Sequence, residues 1–322
     1  MLALLFPGQG AQRVGMGRDV YEASPAARAV FAAADDALGL PLSRLCFDGP
    51  EDALLATEMQ QPAILATSVA LLRALEERSG GAVPAAYVAG HSLGEYSALV
   101  ASGSLALPDA VRLVRARGAY MQDAVPAGAG AMAAILGADA SAVEAACARA
   151  RERSGAWVEP ANYNAPGQTV ISGAAAAVDA ACEEARQAGA RRATRLAVSA
   201  PFHCQLMAPA AERLAVDLER LAFADPVPPL VANVSAEVVR AGAAIAELLR
   251  RQVTEPVRFT AMVQALAARG VTRVLEIGPS KVLSALVARI EPGLARAALT
   301  GVAELDAAAG FAAGVAGSPA TA

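Results

Sequence analysis

The chain of 322 residues is short of histidine, lysine and aromatic side chains: it has two histidines, His91 and His203, a single lysine, Lys281, and only 4% Phe, Trp and Tyr. Two histidines and no HExxH pattern cannot build a His-rich zinc site, so no metal centre is expected. The four cysteines, Cys46, Cys147, Cys182 and Cys204, are widely spaced with no CxxC pair, as expected of reduced thiols. Hydrophobic residues make up 55% of the chain, yet Gly, Arg, Glu and Pro interrupt every Ala-rich stretch before it reaches the ~18 residues of a spanning helix. No membrane association is expected. The opening Leu2 to Phe6 lacks a basic flank and runs directly into Pro7-Gly8-Gln9-Gly10, which reads as a first strand and not as a signal peptide. A cytoplasmic location follows as the expectation. A net charge of -4 argues against nucleic acid as a partner, because phosphate binding needs a basic surface.

What remains is a chain apolar enough and long enough to bury a large core. Its hydrophobic patterning predicts a strand at 2–6, helices at 25–38 and 62–78, and a short strand at 86–89. A glycine-flanked turn and a helix at 95–102 follow, then a helix at 108–122. After the loop Pro126-Ala127-Gly128-Ala129-Gly130 the rhythm becomes strand, helix, strand, strand, helix, strand over 132–198, the split βαβ pattern of a small ferredoxin-like unit. Helix and strand alternation then resumes to about 290, closing with a strand at 273–277 and a helix at 282–290. The predicted fold class is therefore α/β: a large α/β-hydrolase-like subdomain with a parallel sheet, built from 1–126 and 199–303, with an inserted ferredoxin-like (βαββαβ) subdomain at 127–198. Residues 304–322 are Ala/Gly-rich with little pattern and read as a weakly ordered tail.

Gly90-His91-Ser92-Leu93-Gly94 fits GxSxG, the nucleophile elbow, in which a strand turns sharply into a helix and holds the serine hydroxyl out at the top of the sheet. Leu93 N–H, at the start of that helix, is placed to donate to an oxyanion. A serine nucleophile needs a base, and of the two histidines His91 is adjacent to Ser92 and diverges from it on the tight turn. His203 is thus the candidate base. No acid between serine and histidine stands out as a third member, and a backbone carbonyl is an alternative way to orient the ring. These residues alone define a serine acyl enzyme, either hydrolase or transferase.

The ordered set Pro7-Gly8-Gln9-Gly10-Ala11-Gln12, Gly90-His91-Ser92-Leu93-Gly94-Glu95, Arg117-Gly118, Asn162-Tyr163-Asn164-Ala165-Pro166-Gly167-Gln168, Pro201-Phe202-His203, Gln252 with Pro256-Val257, and Glu276-Ile277-Gly278-Pro279 resembles the malonyl-CoA:acyl carrier protein transacylases over residues 2 to 290. The resemblance implies ping-pong transfer of malonyl from malonyl-CoA to the phosphopantetheine thiol of holo acyl carrier protein, without a cofactor, by a cytoplasmic monomer. It implies Ser92 as nucleophile, His203 as base, the backbone N–H groups of Gln9 and Leu93 as oxyanion hole, and the Gln252 carbonyl as the group that orients His203. Arg117 matches the arginine that pairs with the malonyl carboxylate, a task for which a planar fork of donors is suited. Phe202 is the bulky choice associated with malonyl over methylmalonyl. Asn162 and Asn164 match positions near the CoA or pantetheine arm, and His91 is counted with the substrate-binding residues. Two departures, Ala11 in place of a frequent serine and Phe259 in place of a frequent tryptophan, concern only pocket detail. Free-standing acyltransferases of polyketide assembly lines share these motifs.

Overall fold

The computed structural model describes residues 1–314. Among the described residues ten strands form two sheets: β1 (Leu2–Phe6), β2 (Tyr87–Gly90), β3 (Gly130–Leu136), β4 (Val158–Ala165), β5 (Gln168–Ala174), β6 (Arg192–Arg195), β7 (Leu230–Val231), β8 (Val238–Val239), β9 (Arg273–Ile277) and β10 (Ala295–Leu299). The larger sheet has the order β10-β9-β1-β2-β7-β8 and is parallel except for the β7-β8 pair. The smaller has the order β4-β5-β3-β6 and is antiparallel throughout, the arrangement the split βαβ pattern predicts.

Strand β1 shows why the larger sheet is buried on both faces. Leu2, Leu4 and Phe6 join one apolar cluster while Ala3 and Leu5 join another, the two-residue period of a strand with both sides covered. The first cluster is organised around the helix Thr57–Ser79, and the second around the helices Phe259–Ala268 and Val282–Ile290. The small sheet has a core of its own, in which Ile135, Val158 and Ile171 pack on the helices Ala140–Ser154 and Ala175–Gln187.

The helix Pro25–Leu38 begins and ends as its sequence dictates. Ser24 Oγ accepts from Ala27 N at 3.1 Å, Pro25 occupies the first turn, and Gly39 closes the helix at φ 63°. Other boundaries move. The helix predicted from 62 starts at Thr57, so that Pro62 lies inside it, and the added turn carries Gln60 and Gln61 to the functional site. The expectation of a weakly ordered tail from 304 is corrected for its first part: Leu305–Ala313 is a helix with Ala308 and Ala312 buried, and it packs on Thr57–Ser79 and β10. Alanine favours helix without leaving any periodic signal, and burial against those neighbours selects it. The rest of the expected tail, 315–322, lies outside the described residues. Strand β10 and the short helices Arg18–Ala23, Leu42–Asp48 and Glu51–Leu55 also went unpredicted. No helix among the described residues is long and apolar enough to cross a membrane.

Candidate active site

The carboxyl ends of β1 and β2 lie side by side, with Phe6 paired to Gly90, so the loops that leave them meet above the sheet. His91 N–H donates to Phe6 O at 3.0 Å and draws the two turns together. Glycine is required on both sides of this contact. A Cβ at Gly94 would lie 1.9 Å from Phe6 O, and one at Gly8 would lie 2.4 Å from His91 O. The sharp turn places Ser92 at φ 50°, left-handed backbone that a serine adopts only under the constraint of its surroundings. The helix Gly94–Ala101 follows immediately, as the elbow pattern predicts.

His203 is brought to Ser92 from 111 residues away, with Nε2 2.7 Å from Ser92 Oγ. Its Nδ1 lies 2.7 Å from the backbone oxygen of Gln252. A carbonyl only accepts, so Nδ1 carries the hydrogen and Nε2 presents its lone pair to the serine hydroxyl. His203 also has a left-handed backbone, φ 60°, and is 4% exposed. Burial, followed by the positive charge of Arg117, lowers its pKa to about 3, which holds the ring as a neutral base.

Arg117 is fully buried beneath the serine in the helix Leu107–Asp123, with its guanidinium 5.4 Å from the centre of the Tyr96 ring. Its Nη1 donates to Gln61 Oε1 at 2.7 Å, and its Nη2 donates to Gln252 Oε1 at 2.8 Å and to Ser92 Oγ at 3.2 Å. Burial opposes the charge of Arg117, and Tyr96 and Glu95 favour it.

A cavity of about 490 Å³ opens over Ser92 and His203, between the end of the large sheet and the small sheet. Gln9, His91, Asn162 and Phe202 line it, joined by Met132 and by 196–199 beyond β6. Arg117, Gln252 and Asn164 do not line it. Arg117 and Gln252 lie under the serine, and Asn164 Oδ1 is held 2.8 Å from His91 Nε2. The side chain of Gln9 donates to Gln60 Oε1 at 2.6 Å. Among the described residues, the backbone N–H groups of Gln9 and Leu93 donate to no protein acceptor, whereas that of Ser92 is taken by Asn233.

The chain matches the acyl transferase domain family over residues 3–313. It is 48% identical to the malonyl CoA-acyl carrier protein transacylase of Bacillus subtilis, over 90% of each chain, and 47% identical to that of Escherichia coli K12, over 92% of this chain and 95% of the relative. The chain belongs to the malonyl-CoA:acyl carrier protein transacylase family. It is an acyltransferase. Its fold superposes with a TM-score of 0.92 on an acyl carrier protein S-malonyltransferase from Vibrio cholerae, at 45% identity and covering 95% of this chain and 99% of the other. The same TM-score and identity relate it to a malonyl-transacylase solved in complex with its holo type II polyketide acyl carrier protein, with 96% and 99% covered.

Several residues that build this transacylase site were not found by sequence reasoning. Asn233, fully buried just beyond β7, brackets the elbow: its Oδ1 accepts from Ser92 N at 2.7 Å and its Nδ2 donates to Gly90 O at 2.8 Å. Glu95, 1% exposed, accepts from Asn233 N at 3.1 Å and from the Gln252 side chain, which also donates to Ser92 O at 3.0 Å. A charged residue three positions after the nucleophile, inside an otherwise apolar helix, was the available signal for Glu95. Asn233 carried none, because both partners of its side chain lie more than a hundred residues away.

Proposed function

We propose that the chain transfers malonyl from malonyl-CoA to the phosphopantetheine thiol of acyl carrier protein through a malonyl ester on Ser92, as a step of fatty acid synthesis. The observation that carries this reading is the double contact of Ser92 Oγ, with His203 Nε2 at 2.7 Å and with Arg117 Nη2 at 3.2 Å. A base and a carboxylate receptor thus meet at one oxygen.

In the first half-reaction His203 takes the hydroxyl proton as Ser92 Oγ attacks the thioester carbonyl. The oxyanion forms against the unused N–H groups of Gln9 and Leu93. When the carbon–sulfur bond breaks, the histidine proton passes to the CoA thiolate. The Gln252 carbonyl stabilises the transient imidazolium through Nδ1–H, the task a carboxylate performs in a triad. In the second half-reaction the pantetheine thiol gives its proton to His203 and attacks the ester, and Ser92 recovers its hydrogen.

Arg117 supplies selectivity. Once Oγ is esterified, the Nη2 hydrogen directed at it and the second Nη1 hydrogen are free to bind the carboxylate that folds back from the acyl group. A thioester without a carboxylate leaves them unpaired in a buried site. Phe202, 6% exposed in the cavity wall, limits the room at the α-carbon and favours malonyl over methylmalonyl.

The test is to incubate the protein with malonyl-CoA, acetyl-CoA or methylmalonyl-CoA, record its intact mass, then add holo acyl carrier protein and record again, with Ser92→Ala alongside. A malonyl adduct that requires Ser92 and moves to the carrier is expected. An adduct lost to water with the carrier unmodified would make the protein a hydrolase and overturn the reading.

A further inference from the structure

A guanidinium with no exposed surface needs a counter-charge, yet the hydrogen-bond partners of Arg117, Gln61, Gln252 and Ser92, are all neutral. The negative charge stands one amide further away. Gln252 Oε1 accepts from Arg117 Nη2 at 2.8 Å, while Nε2 of the same amide donates to Glu95 Oε2. The amide therefore turns its oxygen to the cation and its N–H to the carboxylate, and its dipole favours both charges at once.

The surroundings of Glu95 hold little else that is charged. The helix Leu107–Asp123 contributes Arg117, and its own helix contributes Tyr96, a neutral phenol whose pKa burial raises to about 12. The segment after β7 contributes the neutral Asn233, and the helix Ile245–Thr254 the neutral Gln252, whose neighbour Arg251 is committed to an ion pair with Glu255. His203 lies across Ser92 as a neutral ring.

We propose that Glu95 is the counter-charge of Arg117 in the empty site, and that it takes up a proton from solvent when the carboxylate of a malonyl group on Ser92 assumes that role. The inference rests on the reading of Ser92 and Arg117 given above. In the balanced step the ester bond forms at Ser92 Oγ and the thioester bond breaks. The serine proton leaves on the CoA thiol by way of His203, and one further proton passes from water to Glu95. Burial raises the Glu95 carboxyl to about 7, so it is partly ionised at neutral pH. A second negative charge at Arg117 shifts it further up. An acetyl group brings no such charge and leaves Glu95 as it was.

The experiment mixes the protein with malonyl-CoA in weakly buffered solution containing a pH indicator and counts the malonyl enzyme by intact mass. Uptake per malonyl enzyme is expected to rise with pH from a small fraction of a proton on the acid side toward one proton on the alkaline side of neutrality. Glu95→Gln, counted per adduct formed, is expected to show no uptake, whatever its rate of acylation. The wild-type enzyme is a sufficient test should that variant fold poorly. A full yield of adduct with no proton uptake across the range overturns the counter-charge role and leaves the Ser92 chemistry standing, as does equal uptake by Glu95→Gln. Failure to form any adduct removes both readings.

Discussion

Replacing Arg117 with methionine separates its two contacts at the site. Methionine keeps an unbranched apolar stem in the fully buried position but removes every donor. For malonyl-CoA, two charge-assisted hydrogen bonds to the carboxylate are lost, each worth about 1.5–3 kcal/mol, and a desolvated carboxylate is left unpaired. A loss of about 3–5 kcal/mol, the range for breaking a buried charged pair, corresponds to roughly a hundred- to several-thousand-fold in the rate of acylation. For acetyl-CoA the 3.2 Å contact to Ser92 Oγ is lost, worth about 1 kcal/mol or about fivefold, while the bonds to Gln61 and Gln252 are lost for both thioesters alike and drop out of their ratio. The ratio of malonyl to acetyl acylation, measured by quench and intact mass with each thioester at limiting concentration, should therefore fall by the difference of about 2–4 kcal/mol, roughly 30- to 900-fold. Circular dichroism and the acetyl rate report whether the elbow survives. An equal fall for both thioesters would show that Arg117 supports the serine and does not select the acyl group.

Asn233→Ala strips two hydrogen bonds from the elbow, leaving Ser92 N and Gly90 O buried and unpaired at about 1–3 kcal/mol each; the urea midpoint should drop markedly and acylation with it, and a variant with wild-type stability would contradict the bracket. The folded-state pKa of His203 is depressed below the ordinary 6.5, so the ring is a neutral base from about pH 5 upward; the acylation rate should show no acid limb near 6.5, and its contribution to stability is present above 6.5 and lost as the pH falls toward 3. Glu95 works in the opposite direction: its raised carboxyl stabilises the fold below about 4.5, and this is lost as the pH rises through about 7. Glu95→Gln replaces one of two accepting oxygens with a donor and removes the counter-charge, so it is less stable at pH 5, but it lacks this pH-linked loss, and the gap to wild type should narrow as the pH rises from 5 to 8 in urea titrations. Reversing the charges of Arg191 and Arg192, exposed at the edge of the small sheet, tests this face as the docking surface for an acidic carrier protein: KM for the carrier is expected to rise and that for malonyl-CoA to stay, and equal effects on the two would exclude this face.

The parts of the molecule legible in advance share one property: their signal lies within a few residues of sequence. Strand β9 and the helix Val282–Ile290 were bounded correctly because their apolar period and flanking turns are local. Strand β10 was not, since Ala295-Arg296-Ala297-Ala298-Leu299 has weak strand propensity and is a strand because β9 offers it a ladder. The helices of 5 to 7 residues near the amino end are too short to display a period.

The same division runs through the site. The elbow is determined by sequence, because two glycines and a serine at that spacing permit only one way for the strand to enter the helix. Scarcity did the rest for the base, two histidines leaving one candidate. Tertiary structure alone decided how these groups are held. Gln252 reaches His203 with its backbone, Arg117 with its amide oxygen and Glu95 with its amide nitrogen, across separations of 49, 135 and 157 residues. No local pattern records such contacts. Each depends on where separate elements cross, and the fold fixes those crossings by burying β1 and β2 beneath the layers that carry the partners.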